Sequence, residues 1–383
     1  MIILIFITLK KMYKYSMASL TKAEMLSWLK TEDRSELEKL YEKAYAVKLA
    51  NTGKVVHFRG IIEFSNVCSK NCYYCGIRKD NKNVKRYSMD AKNILKAAKF
   101  ALEAGYGSVV LQSGERADKM FVALIEKLLK DLNAMSSGKL GITLSLGEQS
   151  EATYKKWFAA GAKRYLLRIE TSNPGLYAKL HPGDHEFGAR LACLKLLKKT
   201  GYQVGTGVMI GLPFQTCEDL ADDLAFFKKN DIDMLGMGPY IPHAETPLNA
   251  YAGNFDKKKN LRLGLTMIAL ARLSMPDINI AATTALQALD PKGRELGLLA
   301  GANIIMPNLT PTEYRAGYKL YDNKPCLDEN AEMCLHCLEK RITALDEKIG
   351  YNSEGTSKHY LKRTKSGRVL KIPASKIDSK ISI

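Results

Sequence analysis

The amino-acid sequence predicts an α/β fold, a (β/α)8 barrel of TIM type with a short helical extension before it and a further extension after it. Three observations carry that expectation. Short apolar, β-branched runs recur between segments of helical periodicity, the pattern of a parallel sheet covered on both faces. Eight such runs fit into about 250 residues, the length of a complete barrel. Polar residues collect at the carboxyl ends of the runs, where a barrel assembles its chemistry. A doubly wound open sheet is the alternative.

In chain order, Leu20–Leu49 reads as two Lys/Glu-rich amphipathic helices, with Thr21 as a cap and Asp33-Arg34-Ser35 as the break. The strands are expected at Val55–Phe64, Ser108–Gln112, Gly141–Leu146, Arg164–Glu170, Gln203–Ile210, Asp233–Ile241, Ile278–Thr284 and Ala302–Met306. Helical segments such as Ala91–Glu103, Phe187–Lys199 and Cys217–Lys229 fall between them. The strand ends then present Gln112 to Glu115, Ser145 and Glu148, Arg168 and Glu170, Gly211-Leu212-Pro213, Thr283-Thr284 and Met306-Pro307-Asn308. Glu170 stands out, because a carboxylate within YLLRIET needs a partner to offset its desolvation.

Composition bounds the function. Apolar residues make up 46% and charged residues 26% of the 383, as in soluble globular proteins. The net charge of +18 points to anionic partners, yet 356–383 alone hold eight Lys/Arg against Asp378. The remaining excess reads as solvated Lys-rich helix faces rather than a nucleic-acid groove. The expected division is 1–50 for the N-terminal segment and helices, 51–325 for the barrel, 326–345 for a cysteine-bearing helix, and 346–383 for a basic, disordered tail. The opening MIILIFITL is too short to span a bilayer and lacks a signal peptide's basic start, so a cytoplasmic protein is expected. A hydrogenosome or another organelle is the alternative if the source is eukaryotic.

Six of the eight cysteines form two triplets. Cys68, Cys72 and Cys75 sit in FSNVCSKNCYYCG, directly after the first strand, spaced C-x3-C-x2-C. Thiolates so close in a chain with few cysteines indicate a metal site before a disulfide. Closed sites take four protein ligands, so three on a cubane leave one iron for a non-protein ligand. A zinc knuckle with a distant fourth ligand is the alternative. Cys326, Cys334 and Cys337 form the second triplet, with His336 as a possible fourth ligand. Cys193 and Cys217 stand alone and read as buried apolar residues. No Ser/His/Asp triad, Walker loop or dinucleotide fingerprint is present.

The first triplet, placed after the first strand of such a barrel, resembles the radical S-adenosylmethionine (SAM) superfamily. There, three cysteines hold a 4Fe–4S cluster, and SAM completes it through its amino and carboxylate groups. Within the superfamily, IIEFSNVCSKNCYYCGIRKDNKNVKRY, VLQSGE, TLSLGE, RYLLRIETSNP, GVMIGLPFQT, MGPYIPHAETPL, ATTAL and ANIIMPNLTP together resemble the HydE type of FeFe-hydrogenase maturase. The likeness runs from about Val55 to Cys337. It implies a 4Fe–4S cluster on Cys68, Cys72 and Cys75 that reductively cleaves SAM to a 5′-deoxyadenosyl radical. It places Tyr74 near the adenine, and Ser145, Arg168, Glu170 and Arg190 around SAM, with backbone of Gly205–Gly211 facing the adenine. Gln112, Thr283, Thr284, Met306, Tyr318 and Tyr321 would line an inner substrate cavity, with packing as the plainer role of Met306 and the tyrosines. Cys326, Cys334 and Cys337 match an auxiliary iron–sulfur site present in some members. The implied substrate is a sulfur- and iron-bearing small molecule on the way to the dithiolate bridge of the hydrogenase active site. The implied partners are companion maturases, a scaffold protein and a reductant such as ferredoxin or flavodoxin, with neither membrane nor nucleic acid. Methylornithine synthase and biotin synthase are the nearest rivals. A zinc- or cluster-bearing nucleic-acid-binding protein is the rival from another class.

Overall fold

The computed structural model describes residues 20–365. The expectations for the first nineteen residues and for 366–383 lie outside them. Helix Lys22–Lys30 starts at a capping box in which Thr21 and Glu24 satisfy each other's backbone N–H groups. Asp33 caps the next helix, Arg34–Asn51, by accepting from Glu36 N. The pair packs on the barrel's outer helices Cys217–Lys229 and Lys257–Ser274.

The strands are β1 (Val55–Ser65), β2 (Ser108–Ser113), β3 (Gly141–Ser145), β4 (Arg164–Leu166), β5 (Gln203–Thr206), β6 (Met209–Ile210), β7 (Met234–Leu235), β8 (Gly238–Pro239), β9 (Asn279–Ile280), β10 (Ile304–Ile305) and β11 (Lys348–Ile349). Hydrogen bonding runs β10-β1-β2-β3-β4-β5-β7-β9, and a parallel bridge between Ala281 and Ile304 brings the two ends of that path together. The ring is a closed, eight-stranded parallel barrel, so every expected strand is present and the open sheet is not. Alternate strand residues such as Val109, Leu111, Ile142, Leu144 and Val204 belong to one continuous core with the covering helices.

Two expected strands are interrupted. Gln203–Ile210 breaks into β5 and β6, and Asp233–Ile241 into β7 and β8, with β6 and β8 pairing separately. Gly207 sits at the break, where a Cβ would lie 2.3 Å from Gly236 O. That close backbone approach turns the carboxyl ends of these strands.

The C-terminal segment departs from the expectation of a disordered tail over 346–365. β11 pairs with the start of β1. The chain then crosses the amino end of the barrel. Gly355 O accepts from Arg59 at 3.2 Å and Asn279 at 2.7 Å, and Glu354 O accepts from Arg164 at 2.9 Å. Helix Lys358–Lys365 docks through Arg363, which is buried against Asp233 at 2.7 Å. His359 bridges Asp231 at 2.6 Å and Asp277 at 3.2 Å. A basic composition reads as a tail, but here its cations meet acids buried at the barrel's base.

Candidate active site

The loop after β1 is held by its own side chains. Buried Asn66 donates to Lys85 O at 2.9 Å and Gly317 O at 2.7 Å, and accepts from Tyr87 N at 2.8 Å. Arg86 donates to the carbonyls of Asn66, Ile77, Arg78 and Asn81, so one guanidinium ties together the turn that carries the cysteines. His185 Nε2 accepts from Asn71 N at 2.9 Å and pins the middle of the loop. Gly114, after β2, lets the neighbouring loop approach. A Cβ there would fall 2.4 Å from Val67 O and 2.7 Å from Cys68 Cβ.

Cys68, Cys72 and Cys75 all face one cavity of about 310 Å³ at the carboxyl end of the barrel. The N–H groups of Lys70 and Glu115 point at Cys68 Sγ from 3.4 and 3.3 Å, the arrangement that favours a thiolate. Burial pushes all three thiols up, Cys72 to about 12. Deprotonation here is therefore coupled to the arrival of positive charge, as at metal sites.

The residues that the resemblance places around SAM and substrate line this same cavity, whereas the strand-end residues Gly211, Leu212 and Pro213 line a separate one and Asn308 the smaller adjoining one. Tyr74, Ser145, Arg168, Glu170 and Arg190 stand around the cysteines. Gln112, Thr283, Thr284, Met306, Tyr318 and Tyr321 line it as well. Tyr74 packs with Tyr73 against Leu176, Leu180, Met209 and Tyr240, and its hydroxyl meets His181 Nε2 at 3.3 Å. Tyr321 donates to Thr284 Oγ1 at 3.1 Å.

Glu170 carries the strongest local signal. Its φ is +68°, a left-handed conformation that costs a non-glycine residue about 1–3 kcal/mol. The backbone holds it there through Glu170 N to Gly207 O at 3.1 Å and Met209 N to Glu170 O at 3.0 Å. Arg168 Nη2 lies 3.1 Å from Glu170 Oε2, yet the two are not aligned for a hydrogen bond, and both atoms are buried without one. The pair thus keeps unused hydrogen-bonding capacity at the wall of a cavity that also holds three thiols.

Sequence reasoning missed the charge network behind them. Arg190 donates to Glu148 at 2.6 Å and to Arg168 O at 3.0 Å, and stands 3.8 Å from Glu115. Lys70 reaches Glu148 at 3.0 Å and Glu115 at 3.4 Å. Burial raises the pKa of Glu115 above the ordinary glutamate value; burial acts likewise on Glu148, but Arg190 and Lys70 outweigh it and hold that carboxyl low. Also missed was Glu63, which receives Lys324 through both oxygens at 2.6 and 2.7 Å deep in the cavity. Glu63 lies in a strand and Lys324 in a polar loop, so only folding brings them together.

The second triplet is arranged differently. Cys326 and Cys334 line a smaller adjoining cavity, whereas Cys337 is exposed one helical turn beyond Cys334. His336 is exposed and turns to Glu339 at 3.2 Å. Among the described residues, no three His, Cys, Asp or Glu side chains are grouped to hold a single metal ion.

The radical SAM superfamily profile matches residues 62–227. The [FeFe] hydrogenase maturase subunit HydE of Thermotoga maritima is 47% identical over 331 residues, 86% of this chain and 92% of that one. The chain belongs to the radical SAM superfamily, as an enzyme of HydE type. The 3-methylornithine synthase of Methanosarcina barkeri is 30% identical over 79% of this chain and 83% of its own. Among solved structures, methylornithine synthase (PylB) superposes with a TM-score of 0.76 at 26% identity, covering 87% of this chain and 95% of that one. The maturase HydG from Carboxydothermus hydrogenoformans shares the fold, with a TM-score of 0.73 at 19% identity over 90% of this chain and 78% of that one. Membership of the superfamily implies a 4Fe–4S cluster and SAM. No described helix of this radical SAM enzyme is long and apolar enough to cross a membrane.

Proposed function

We propose that this radical SAM enzyme acts in assembly of the FeFe-hydrogenase active site, on a sulfur- and iron-bearing small molecule that becomes the dithiolate bridge. The observation that carries the reading is the 47% identity to a HydE maturase over nearly its whole length. Methylornithine synthase is the second reading, favoured by its similar fold but at lower identity.

Cys68, Cys72 and Cys75 are the proposed cluster ligands, because they share one cavity and Cys68 already receives two N–H donors. The Glu170 carboxylate and Arg168 guanidinium, close at 3.1 Å but without a hydrogen bond between them, suit an amino acid's ammonium and carboxylate. Bound there, the cluster and SAM would supply a carbon radical able to attack an otherwise inert substrate. Arg190, fixed by Glu148, donates to Arg168 O and so positions Arg168. Ser145 lines the same mouth, and Tyr74 offers a ring beside Met209. Deeper in, Gln112, Thr283, Thr284, Met306, Tyr318 and Tyr321 would enclose the substrate and exclude water. Lys324, neutralised by Glu63, keeps that inner chamber polar without leaving it charged.

The cluster needs an electron from outside. Lys79, Lys82 and Lys85 are exposed on the cysteine loop, and among the described residues no acid pairs with them. That rim suits an acidic donor of the ferredoxin or flavodoxin kind. Companion maturases and a scaffold protein are the further partners this reading requires, in the cytoplasm or in an organelle housing the hydrogenase.

Co-expression with a FeFe-hydrogenase and its other maturases tests the reading. Active hydrogenase is expected with this chain present and absent with Cys72→Ala. Formation of methylornithine from lysine by the reconstituted protein would establish the rival instead.

A further inference from the structure

The stretch NPGLYAKLHPGDH builds a short helix and a turn beside the cysteine loop. Asn173 caps the helix Pro174–Leu180 by accepting from Gly175 N at 2.8 Å and Leu176 N at 3.2 Å. Pro182, just past the helix end, keeps it from continuing. The turn then grips the cysteine loop at three points. Leu180 O accepts from Tyr73 N at 2.9 Å, His181 Nε2 faces the Tyr74 hydroxyl at 3.3 Å, and His185 Nε2 accepts from Asn71 N at 2.9 Å.

His181 is only 2% exposed, and its ring is held by two tyrosines. It stacks on Tyr177 with centroids 3.9 Å apart, and it meets Tyr74 edge-to-face at 5.4 Å. Its Nδ1 lies 2.9 Å from Tyr177 O. A carbonyl can only accept, so Nδ1 carries a proton. Burial pushes the imidazole pKa down to about 3, so the ring is neutral at ordinary pH. Nε2 is then a bare acceptor. A buried acceptor needs a donor, and the Tyr74 O–H supplies one. The same hydroxyl has a second acceptor within reach, the Cys72 sulfur. It has one proton to give, and sulfur is the weaker acceptor.

We propose that His181 is a positioning residue of the radical SAM site. Its Nε2 takes the Tyr74 proton, which fixes the Tyr74 ring as a wall of the main cavity and keeps the hydroxyl off Cys72. Two consequences follow for the site. A wall held in one orientation is ready to receive SAM without further ordering. A hydroxyl donated to a cluster sulfur would raise the cluster's reduction potential, so diverting it to His181 keeps that potential low. The effect on SAM rests on the proposed SAM site, whereas the contact between His181 and Tyr74 does not.

Three measurements on the full chain test this. Nitrogen-15 NMR of the histidine-labelled, iron-free chain should show His181 protonated at Nδ1 and bare at Nε2. The wild-type spectrum needs no variant to fold, and its Nε2 shift should move in Tyr74→Phe. In the reconstituted enzyme, His181→Phe keeps a ring and removes the acceptor. The cluster's potential should rise there, return to the wild-type value when Tyr74→Phe is added, and stay unchanged in Tyr74→Phe alone. SAM should bind about 3- to 10-fold more weakly to either single variant, the worth of one neutral hydrogen bond, and no more weakly to the double. His181→Gln, which restores an acceptor, should recover part of the loss. A potential that falls in Tyr74→Phe but holds in His181→Phe would overturn the proposal, because the hydroxyl would then belong to Cys72. A proton on Nε2, or losses in SAM affinity that multiply in the double variant, would overturn it too. Unchanged SAM affinity in both single variants, with the NMR and potential results as expected, would uphold the contact and count against the proposed SAM site instead.

Discussion

Cys68, Cys72 and Cys75 lie on one loop and turn into one cavity. Cys326, Cys334 and Cys337 divide between a loop and a helix, with one thiol buried and one exposed. Both triplets contain a C-x2-C pair. What separates them is what stands around the sulfurs. The first triplet has backbone N–H groups aimed at Cys68 and an unsatisfied Arg168 and Glu170 nearby. The second has a cavity about one-sixth as large by the same measure, 50 against 310 Å³. Three cysteines mark a place in the chain; donors and unused charges around them make it a site.

The largest effect should come from the first triplet. Cys72→Ala is expected to lose both the main cluster and SAM cleavage entirely, since a cubane held by two thiolates is not retained. Ultraviolet–visible and electron paramagnetic resonance spectra of the reconstituted variant check this. Glu170→Gln should keep the cluster but weaken SAM binding about 10- to 100-fold, the worth of a hydrogen bond to a charged group. Isothermal titration with the reconstituted protein measures it, and unchanged affinity would remove Glu170 from the site.

Breaking the wall between the two cavities comes next. Lys324→Met leaves Glu63 buried and unpaired, with an expected loss of about 3–5 kcal/mol in unfolding free energy. The double variant Lys324→Met with Glu63→Gln should recover much of that loss, which chemical denaturation can show. In the second triplet, Cys337→Ser is exposed and should change stability by less than about 0.5 kcal/mol, with SAM cleavage unaltered.

The base of the barrel is the contrasting case, where charges are already matched. Hydrogen bonds that His359 donates to Asp231 and Asp277, outweighing burial, raise it from the usual 6.5 to about 9. Because the folded-state value is the higher one, the stabilisation is complete below about pH 6.5 and is lost as pH rises through about 9. Tm should therefore fall between pH 7 and 9.5, and the fall should be smaller in His359→Asn.

The barrel was legible because each strand is a short apolar run closed by polar residues. The cysteine loop was legible because its spacing is specific. Glu115 and Glu148 were legible as strand-end residues, but Lys70 and the pairing of both carboxylates with it and with Arg190 were not, since single charges in loops look alike whether they cap a helix or face a ligand. The pairing of Glu63 with Lys324 spans most of the barrel and leaves no local pattern. The docked segment 346–365 was misread for a related reason. Its lysines and Arg363 look solvated until Asp231, Asp233 and Asp277, which come from other strands and loops, are placed beneath them.

The most direct test is anaerobic reconstitution of wild type, Cys72→Ala and Cys334→Ala, with iron counted and 5′-deoxyadenosine measured after dithionite and SAM. The first triplet alone is expected to govern cleavage. Wild type and Cys334→Ala should then bind the main 4Fe–4S cluster and release 5′-deoxyadenosine, and Cys72→Ala should do neither. Cleavage surviving in Cys72→Ala, or lost in Cys334→Ala with the main cluster intact, would contradict it.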